Sequence, residues 1–362
     1  MAGAKGFLLL ICCESAARLW TKAVIPCLVR TKTGVLMPKP CAAPKPIENR
    51  AEQFGAAREL ARAEISAGLR MKPARLSPKY FYNALGSKLF EAICLLDEYY
   101  LTRAEAGIFA RFGGQIAAAA GQGVTLIDLG AGNCAKAAAL FEVLRPQQYV
   151  PVDISVTFLQ AAVAKLRMAY PDVPMLPVGL DFAESLRLPG EVRGSRRLFF
   201  YPGSSIGNFT PLQAAQFLTR VRGEAGADGG LLIGVDLVKD AGVLEPAYDD
   251  ALGVTAAFNL NALPHANELL GSDFDVRDWR HVAFYNAEQN RIEMHLEAKR
   301  EVVASWPGGA RRFAAGERIH TENSYKYSKR GFVELLESCG FGEVTCFTDA
   351  HEKFLVCHAR AV

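Results

Sequence analysis

Leu126-Ile127-Asp128-Leu129-Gly130-Ala131-Gly132-Asn133 sets a short apolar run directly before two glycines and a helical stretch. A buried strand entering a glycine turn and then a helix is the shape that cradles a nucleotide. About 25 residues after Asp128 a second apolar run, Tyr149-Val150-Pro151-Val152, ends in Asp153. That is the distance at which a βαβ unit presents a carboxylate to ribose hydroxyls. Many strand-to-helix corners use glycine for backbone reasons alone; the acid is what makes the turn read as a nucleotide site.

Outward from this turn the texture alternates. Hydrophobic periodicity predicts strands at 124–130, 148–154, 174–180, 196–202 and 230–237, and helices at 135–145, 156–169 and 211–222. Such alternation implies a parallel sheet covered on both faces. After Asp236-Leu237-Val238 it stops; helical pieces near 241–269 and strand-like runs at 280–284 and 291–303 follow. It resumes with a helix at 328–339 and strands at 342–348 and 353–359. Only Asp349-Ala350-His351-Glu352 separates the last two strands, so they must form an antiparallel hairpin. A mainly parallel sheet with a reversed final strand is the pattern of class I S-adenosylmethionine methyltransferases.

An insertion of about 85 residues is too long for a simple loop, so it is expected to form a second domain. Upstream, Ala51 to Leu69 reads as an amphipathic helix, and a second helical region runs from Lys88 to Phe112. These helices have no place in the sheet and are expected to pack with the insert over its carboxyl edge, where such folds bind ligands. The expected division is a tail at 1–45, a substrate-binding domain at 46–110 and 239–326, and a cofactor domain at 111–238 and 327–362.

Composition narrows the function. The chain has 362 residues, half of them hydrophobic, and a formal charge of +3. Residues 1–36 hold Lys5, Arg18, Lys22, Arg30 and Lys32 against Glu14 alone, so the body is near neutral. A neutral body lacks the electrostatic footprint of a nucleic-acid binder. None of the nine cysteines forms a CxxC pair, and the six histidines show no i, i+4 pair, so neither a disulfide framework nor a metal site is expected. Lys5 followed by Phe7 to Cys13 imitates a secretory signal but is too short to span a membrane. The start is therefore read as a disordered tail or mis-assigned, with Met37 a candidate initiator and a targeting peptide the alternative. A cytoplasmic monomer, bound to neither membrane nor nucleic acid, is the expected setting.

Methyl transfer from a sulfonium needs an electron pair held in line with the methyl group and water kept out. Positioning groups are thus the residues to seek. In the cofactor half the backbone at Gly130 and Gly132 approaches the methionine moiety and Asp153 accepts from ribose. Asp181-Phe182, after the third strand, is placed to meet adenine, and Lys136 is a candidate for the cofactor carboxylate. After the fourth strand, Tyr201-Pro202-Gly203-Ser204-Ser205-Ile206-Gly207-Asn208-Phe209 offers Asn208, an amide that either holds a small polar ligand or caps the helix opened by Pro211. Asp128 reads as a structural strand-end acid, His295 and His320 as ordinary polar residues.

Several blocks resemble one family. Pro78-Lys79-Tyr80-Phe81-Tyr82, Gly86-Ser87-Lys88-Leu89-Phe90-Glu91, Glu98-Tyr99-Tyr100-Leu101-Thr102-Arg103, Gly203 to Asn208, Gly234 to Asp240, Ala247-Tyr248-Asp249-Asp250, Gly253 to Asn259 and Thr321-Glu322-Asn323-Ser324 occur in one order. Together they are similar to the S-adenosylmethionine-dependent L-histidine Nα-methyltransferases of ergothioneine biosynthesis, from about Pro78 to the C-terminus. The resemblance implies three successive methylations of the histidine α-amine, giving hercynine. It implies that Tyr99, Asn208 and Tyr248 hold the amino acid's carboxylate and amine, with Tyr82 near the nitrogen being methylated. It further implies that Glu322 and Ser324 bind the imidazole and that Met294 lines the ring. Amide and phenols then orient the carboxylate with no cation beside a positively charged product. The alternative for Glu322 is a surface acid before a helix. The chain departs from the family at Asn133-Cys134-Ala135, where hydroxyl and acidic residues are usual, and at Tyr325-Lys326-Tyr327. Competing functions are Nα-methylation of another amino acid, tryptophan or a histidine derivative, and a non-catalytic S-adenosylmethionine sensor.

Overall fold

The computed structural model describes residues 48–362 and two strands, Leu28–Arg30 and Leu36–Pro38, which pair antiparallel. Side chains are described from Arg58 onward. Apart from those two strands, the expectations for the tail lie outside the described residues. Ala56–Val362 form one compact unit built on a seven-stranded sheet, a four-stranded sheet and a separate two-stranded hairpin.

The main sheet has seven strands. In chain order they are β1 (Thr125–Leu129), β2 (Gln148–Asp153), β3 (Val178–Gly179), β4 (Arg197–Tyr201), β5 (Gly230–Asp236), then β9 (Phe341–Thr348) and β10 (Phe354–Ala361), the labels β6 to β8 falling to the smaller sheet. Their spatial order is β9-β10-β5-β4-β1-β2-β3. β1 to β5 run parallel, while β10 lies antiparallel between β5 and β9. The reversed closing hairpin expected from its four-residue connection is therefore present.

Every residue of β1 and β5 is buried, as a sheet covered on both faces requires. Alternation divides the side chains between two cores. Leu198 and Phe200 join the core shared with helix α3 (Tyr100–Ala120), whereas Phe199 and Tyr201 join the one under helix α5 (Pro211–Ala225). Phe199→Ala is accordingly expected to cost about 3–5 kcal/mol, read as a lowered denaturant midpoint with an unchanged m-value.

The second sheet comes from the insert. Its strands β6 (Trp279–Asn286), β7 (Arg291–Ala298) and β8 (Arg318–Tyr325) pair antiparallel, with Ala74–Arg75 added parallel to the edge of β8. A separate hairpin, Val302–Trp306 with Gly309–Phe313, joins β7 to β8. The run 291–303 was thus two strands, and β8 was not read from the sequence.

Other boundaries also moved. The region 88–112 is two helices, α2 (Ala84–Ile93) and α3, following α1 (Glu48–Arg70); Arg103 staples the intervening turn by donating to the carbonyls of Leu96 and Asp97. The helix expected at 135–145 breaks into Ala135–Ala138 and Phe141–Leu144. Of the strand expected at 174–180 only Val178–Gly179 pair as a ladder, because Pro174 and Pro177 have no N–H to give it. The helix α4 (Val156–Ala169) matches its expected bounds. No helix among the described residues is long and apolar enough to cross a membrane.

Candidate active site

At the carboxyl end of β1 the chain turns through Gly130 and Gly132, with φ of +70° and +51°, values that glycine adopts without a Cβ penalty. The Gly132 N–H donates to Asp153 Oδ2 at 3.0 Å and Ser155 N–H to Oδ1 at 2.9 Å. Asp153 therefore braces the turn as well as standing beside it. A Cβ on Gly130 would lie 3.8 Å from the Phe182 ring, so that ring stands beside the turn. Asp181 accepts from Ala183 N–H at 3.1 Å and lies 3.5 Å from Lys79. Beneath the turn, burial pushes the Asp128 carboxyl up to about 7, although the Tyr149 hydroxyl donates to it at 2.7 Å; this is a structural acid.

Lys136 is not a free surface lysine. It pairs at 2.7 Å with Glu105, a residue of α3 only 1% exposed, whose other oxygen accepts from Gly203 N–H at 2.7 Å. A Cβ on Gly234 would fall 2.2 Å from the Glu105 carboxylate. The missing side chain in β5 thus makes room for a carboxylate that ties together α3, the β1 turn and the β4 turn. Gly234→Ala is expected to overpack this notch, lowering stability by about 1–3 kcal/mol and weakening cofactor binding at least tenfold. Calorimetric titration showing unchanged cofactor affinity would uncouple Glu105 from the site.

Asn208 ends a single 3₁₀ turn, Ser205–Asn208. It does not cap α5: Thr210 does, in a capping box with Gln213. Among the described residues the Asn208 amide has no hydrogen-bond partner, which leaves it available to a ligand. A Cβ on Gly207 would meet Tyr325 O at 2.9 Å and Ser324 Oγ at 3.4 Å, so only glycine lets this turn lie on the end of β8.

The aromatic residues gather from separate parts of the chain. Tyr82 packs edge-on against Phe90 and Phe258, with ring centroids 5.7 and 5.4 Å away, and Tyr99 stands 6.2 Å from Tyr248. Burial raises the Tyr82 phenol well above its usual range, and the nearby charges of Glu322 and Asp153 add to the effect. Glu322 is on β8 opposite Met294 of β7 in the ladder, and both are buried; it is not a surface acid before a helix. Among the described residues its carboxylate has no hydrogen-bond partner, and burial pushes it up to about 8 against the opposing charge of Lys326. Ser324, two residues along, faces the same side of the strand. Its hydroxyl lies 2.8 Å from that of Tyr248.

One part of this centre was not read from the sequence. The Lys326 ammonium, fully buried, donates to Tyr248 Oη at 2.9 Å and Ser324 Oγ at 2.8 Å and lies 3.0 Å from Asp236. Asp236, at the end of β5, also pairs with Lys239 at 2.6 Å and accepts from the Tyr100 hydroxyl at 2.8 Å. The expectation of a substrate pocket with no cation nearby is therefore corrected: one stands a single hydrogen bond behind the phenol, its charge met by Asp236. His295 is occupied elsewhere, at 3.0 Å from Glu293 and stacked on Phe284, and burial holds it down at about 4.

The sheet order with its reversed strand, and a glycine turn braced by the acid of the next strand, define a class I S-adenosylmethionine-dependent methyltransferase. At the carboxyl edge of β1 the Gly130–Gly132 turn is braced by Asp153 and lies beside the Phe182 ring, a backbone and carboxylate arrangement whose chemistry fits a nucleotide-bearing cofactor. The chain belongs to the histidine-specific, S-adenosylmethionine-dependent methyltransferase family, whose model matches residues 61–361. It is 40% identical over 304 residues to the histidine N-alpha-methyltransferase of Mycolicibacterium smegmatis, covering 82% of this chain and 94% of that protein. It is 40% identical over 300 residues to the histidine N-alpha-methyltransferase of Mycobacterium tuberculosis, covering 81% and 92%. Ergothioneine biosynthesis protein 1 of Neurospora crassa is 31% identical over 303 residues, 80% of this chain but 34% of that longer protein.

Proposed function

We propose that this protein transfers methyl groups from S-adenosylmethionine to the α-amine of L-histidine, three in succession, giving hercynine for ergothioneine biosynthesis. The observation that carries the reading is Glu322, buried on β8 opposite Met294 with no hydrogen-bond partner among the described residues, two positions from the Ser324 hydroxyl that meets Tyr248. In this reading 46–110 and 239–326 act as the substrate domain and 111–238 with 327–362 as the cofactor domain. The setting it implies is a cytoplasmic monomer acting on the free amino acid.

S-adenosylmethionine, when bound, supplies an electrophilic methyl group. Gly130 and Gly132 would meet its methionine moiety, Lys136 its carboxylate, Asp153 its ribose, and Asp181 and Phe182 its adenine. Asn208, Tyr99 and Tyr248 orient the substrate carboxylate and amine, with Tyr82 beside the attacking nitrogen. Glu322 accepts the imidazole N–H, Ser324 meets the second ring nitrogen and Met294 lines the ring. Each transfer forms an N–C bond as the S–C bond breaks. The resulting ammonium must lose its proton to solvent before the next transfer, and the quaternary product has none left to lose. A growing cation suits a site walled by Tyr82, Phe90, Tyr99 and Phe258, whose ring faces attract positive charge.

The test is to incubate the purified protein with S-adenosylmethionine and a mixture of amino acids and follow mass gains. Histidine is expected to gain one, two and then three methyl groups. Methylation of another amino acid with histidine untouched would overturn the reading, and cofactor binding with no turnover on any amino acid would favour a sensor.

A further inference from the structure

The ammonium of Lys326 has three hydrogens and meets three oxygens, those of Tyr248, Ser324 and Asp236. An ammonium only donates, so both hydroxyls must accept from it. Those hydroxyls are 2.8 Å apart, and one donates to the other. Two hydroxyl hydrogens are thus available and one is used between them. One O–H is left to point at a ligand, from Ser324 or from Tyr248 according to the direction of their shared bond. Burial opposes the charge on Lys326, yet Asp236 and the phenol beside it raise its affinity for the proton, so the donor arrangement is held across the neutral range.

We propose that Lys326, anchored by Asp236, is a positioning and specificity-determining residue that forces the Tyr248–Ser324 pair to act as a hydrogen-bond donor, so the site takes a ring nitrogen with a free lone pair there. This rests on the histidine reading above. With the pair donating to one imidazole nitrogen, the other must carry hydrogen and give it to Glu322 as a carboxylate. The site then binds neutral imidazole in a single tautomer and excludes the imidazolium ion. Without Lys326 the pair is free to accept from a ring N–H, and Glu322 can keep its proton and donate to the opposite nitrogen.

The two arrangements differ in proton count. The empty pocket holds Glu322 protonated below about 8, whereas free imidazole is neutral above about 6.5. Between those limits the wild type must release the Glu322 proton when histidine binds, and a protein lacking Lys326 need not. The charged or titratable groups facing this centre are Glu322 in β8 and Lys326 after it, Asp236 at the end of β5 and Lys239 beyond it, Tyr99 and Tyr100 at the start of α3, Tyr82 before α2 and Cys94 after it, and Tyr248 and Tyr285 in the insert. Removing Lys326 leaves Asp236 paired with Lys239 and Tyr100, so Lys326→Met is expected to fold.

The experiment is titration calorimetry of L-histidine into the full chain saturated with S-adenosylhomocysteine, at pH 7.2 in two buffers of different ionisation enthalpy. Wild type is expected to release about one proton more than Lys326→Met, and the variant to bind histidine about tenfold to a hundredfold more weakly with unchanged affinity for S-adenosylhomocysteine. Equal proton release by both proteins, whatever the affinities, overturns the inference and leaves Lys326 a structural residue. A wild type that does not bind histidine overturns the histidine reading and the inference with it. Should the variant fail to fold, Glu322→Gln, which has no proton to release, takes its place: a wild type that releases about one proton more than Glu322→Gln on binding histidine supports the inference, and equal release overturns it.

Discussion

Replacing Glu322 with alanine is expected to lower kcat/KM for L-histidine by about a hundredfold to a thousandfold, while the affinity for S-adenosylmethionine stays within about twofold. The asymmetry follows from position: Glu322 lies on β8 among Met294, Ser324 and Tyr248, whereas the cofactor turn is braced by Asp153. Parallel loss of histidine use and cofactor binding would show that Glu322 supports the fold instead. A second signature comes from pH. The buried carboxyl titrates near 8 in the folded chain against 4.5 ordinarily, so the unfolded chain sheds this proton first as pH rises. Ligand-free stability should then fall between about 4.5 and 8 relative to Glu322→Gln, by at most about 3–5 kcal/mol. Denaturant midpoints of the two proteins at pH 5 and pH 8 measure it; a constant gap between them would contradict the burial.

Asp236→Asn is expected to destabilise the protein by about 3–5 kcal/mol, because it removes the counter-charge from a fully buried ammonium. Lys239, paired with the same carboxylate, is left facing a second cation. The penalty should ease in alkali. A lysine whose charge is disfavoured in the folded state binds fewer protons there than when unfolded, so stability rises with pH. A loss below about 1 kcal/mol, or one that is flat from pH 7 to 10, would mean that Lys326 is stabilised by the hydroxyls alone.

The sheet was legible because its strands follow simple rules. β1, β2, β4 and β5 are short apolar runs between turn signals, and the five residues between β9 and β10 allow nothing but a hairpin. What failed locally failed for identifiable reasons: prolines at 174 and 177 interrupted β3, and β8, with His320, Glu322 and Ser324 among its residues, looked too polar for a strand. Its polarity belongs to the proposed substrate site, since Glu322, Ser324 and Lys326 follow one another at alternate positions. The cofactor residues and the substrate contacts came from motif and resemblance. The buried ions did not, because a charge inside an apolar pattern reads as an exception. Yet the signal was present: Glu105 falls on the apolar face of α3 with Leu101, Ile108 and Phe109, and Asp236 closes a strand that is otherwise wholly apolar.

The place of β10 ties synthesis to function. It is made after every other described strand, yet it lies between β5 and β9, and Phe354 at its start sits beside Asp236 in the ladder. A nascent chain that has reached β9 still has β5 with an open edge, and the acid that anchors Lys326 has lost its neighbour. Completion of the sheet and assembly of the centre are thus one event, so ligand binding on the ribosome would report that the strand had emerged and docked.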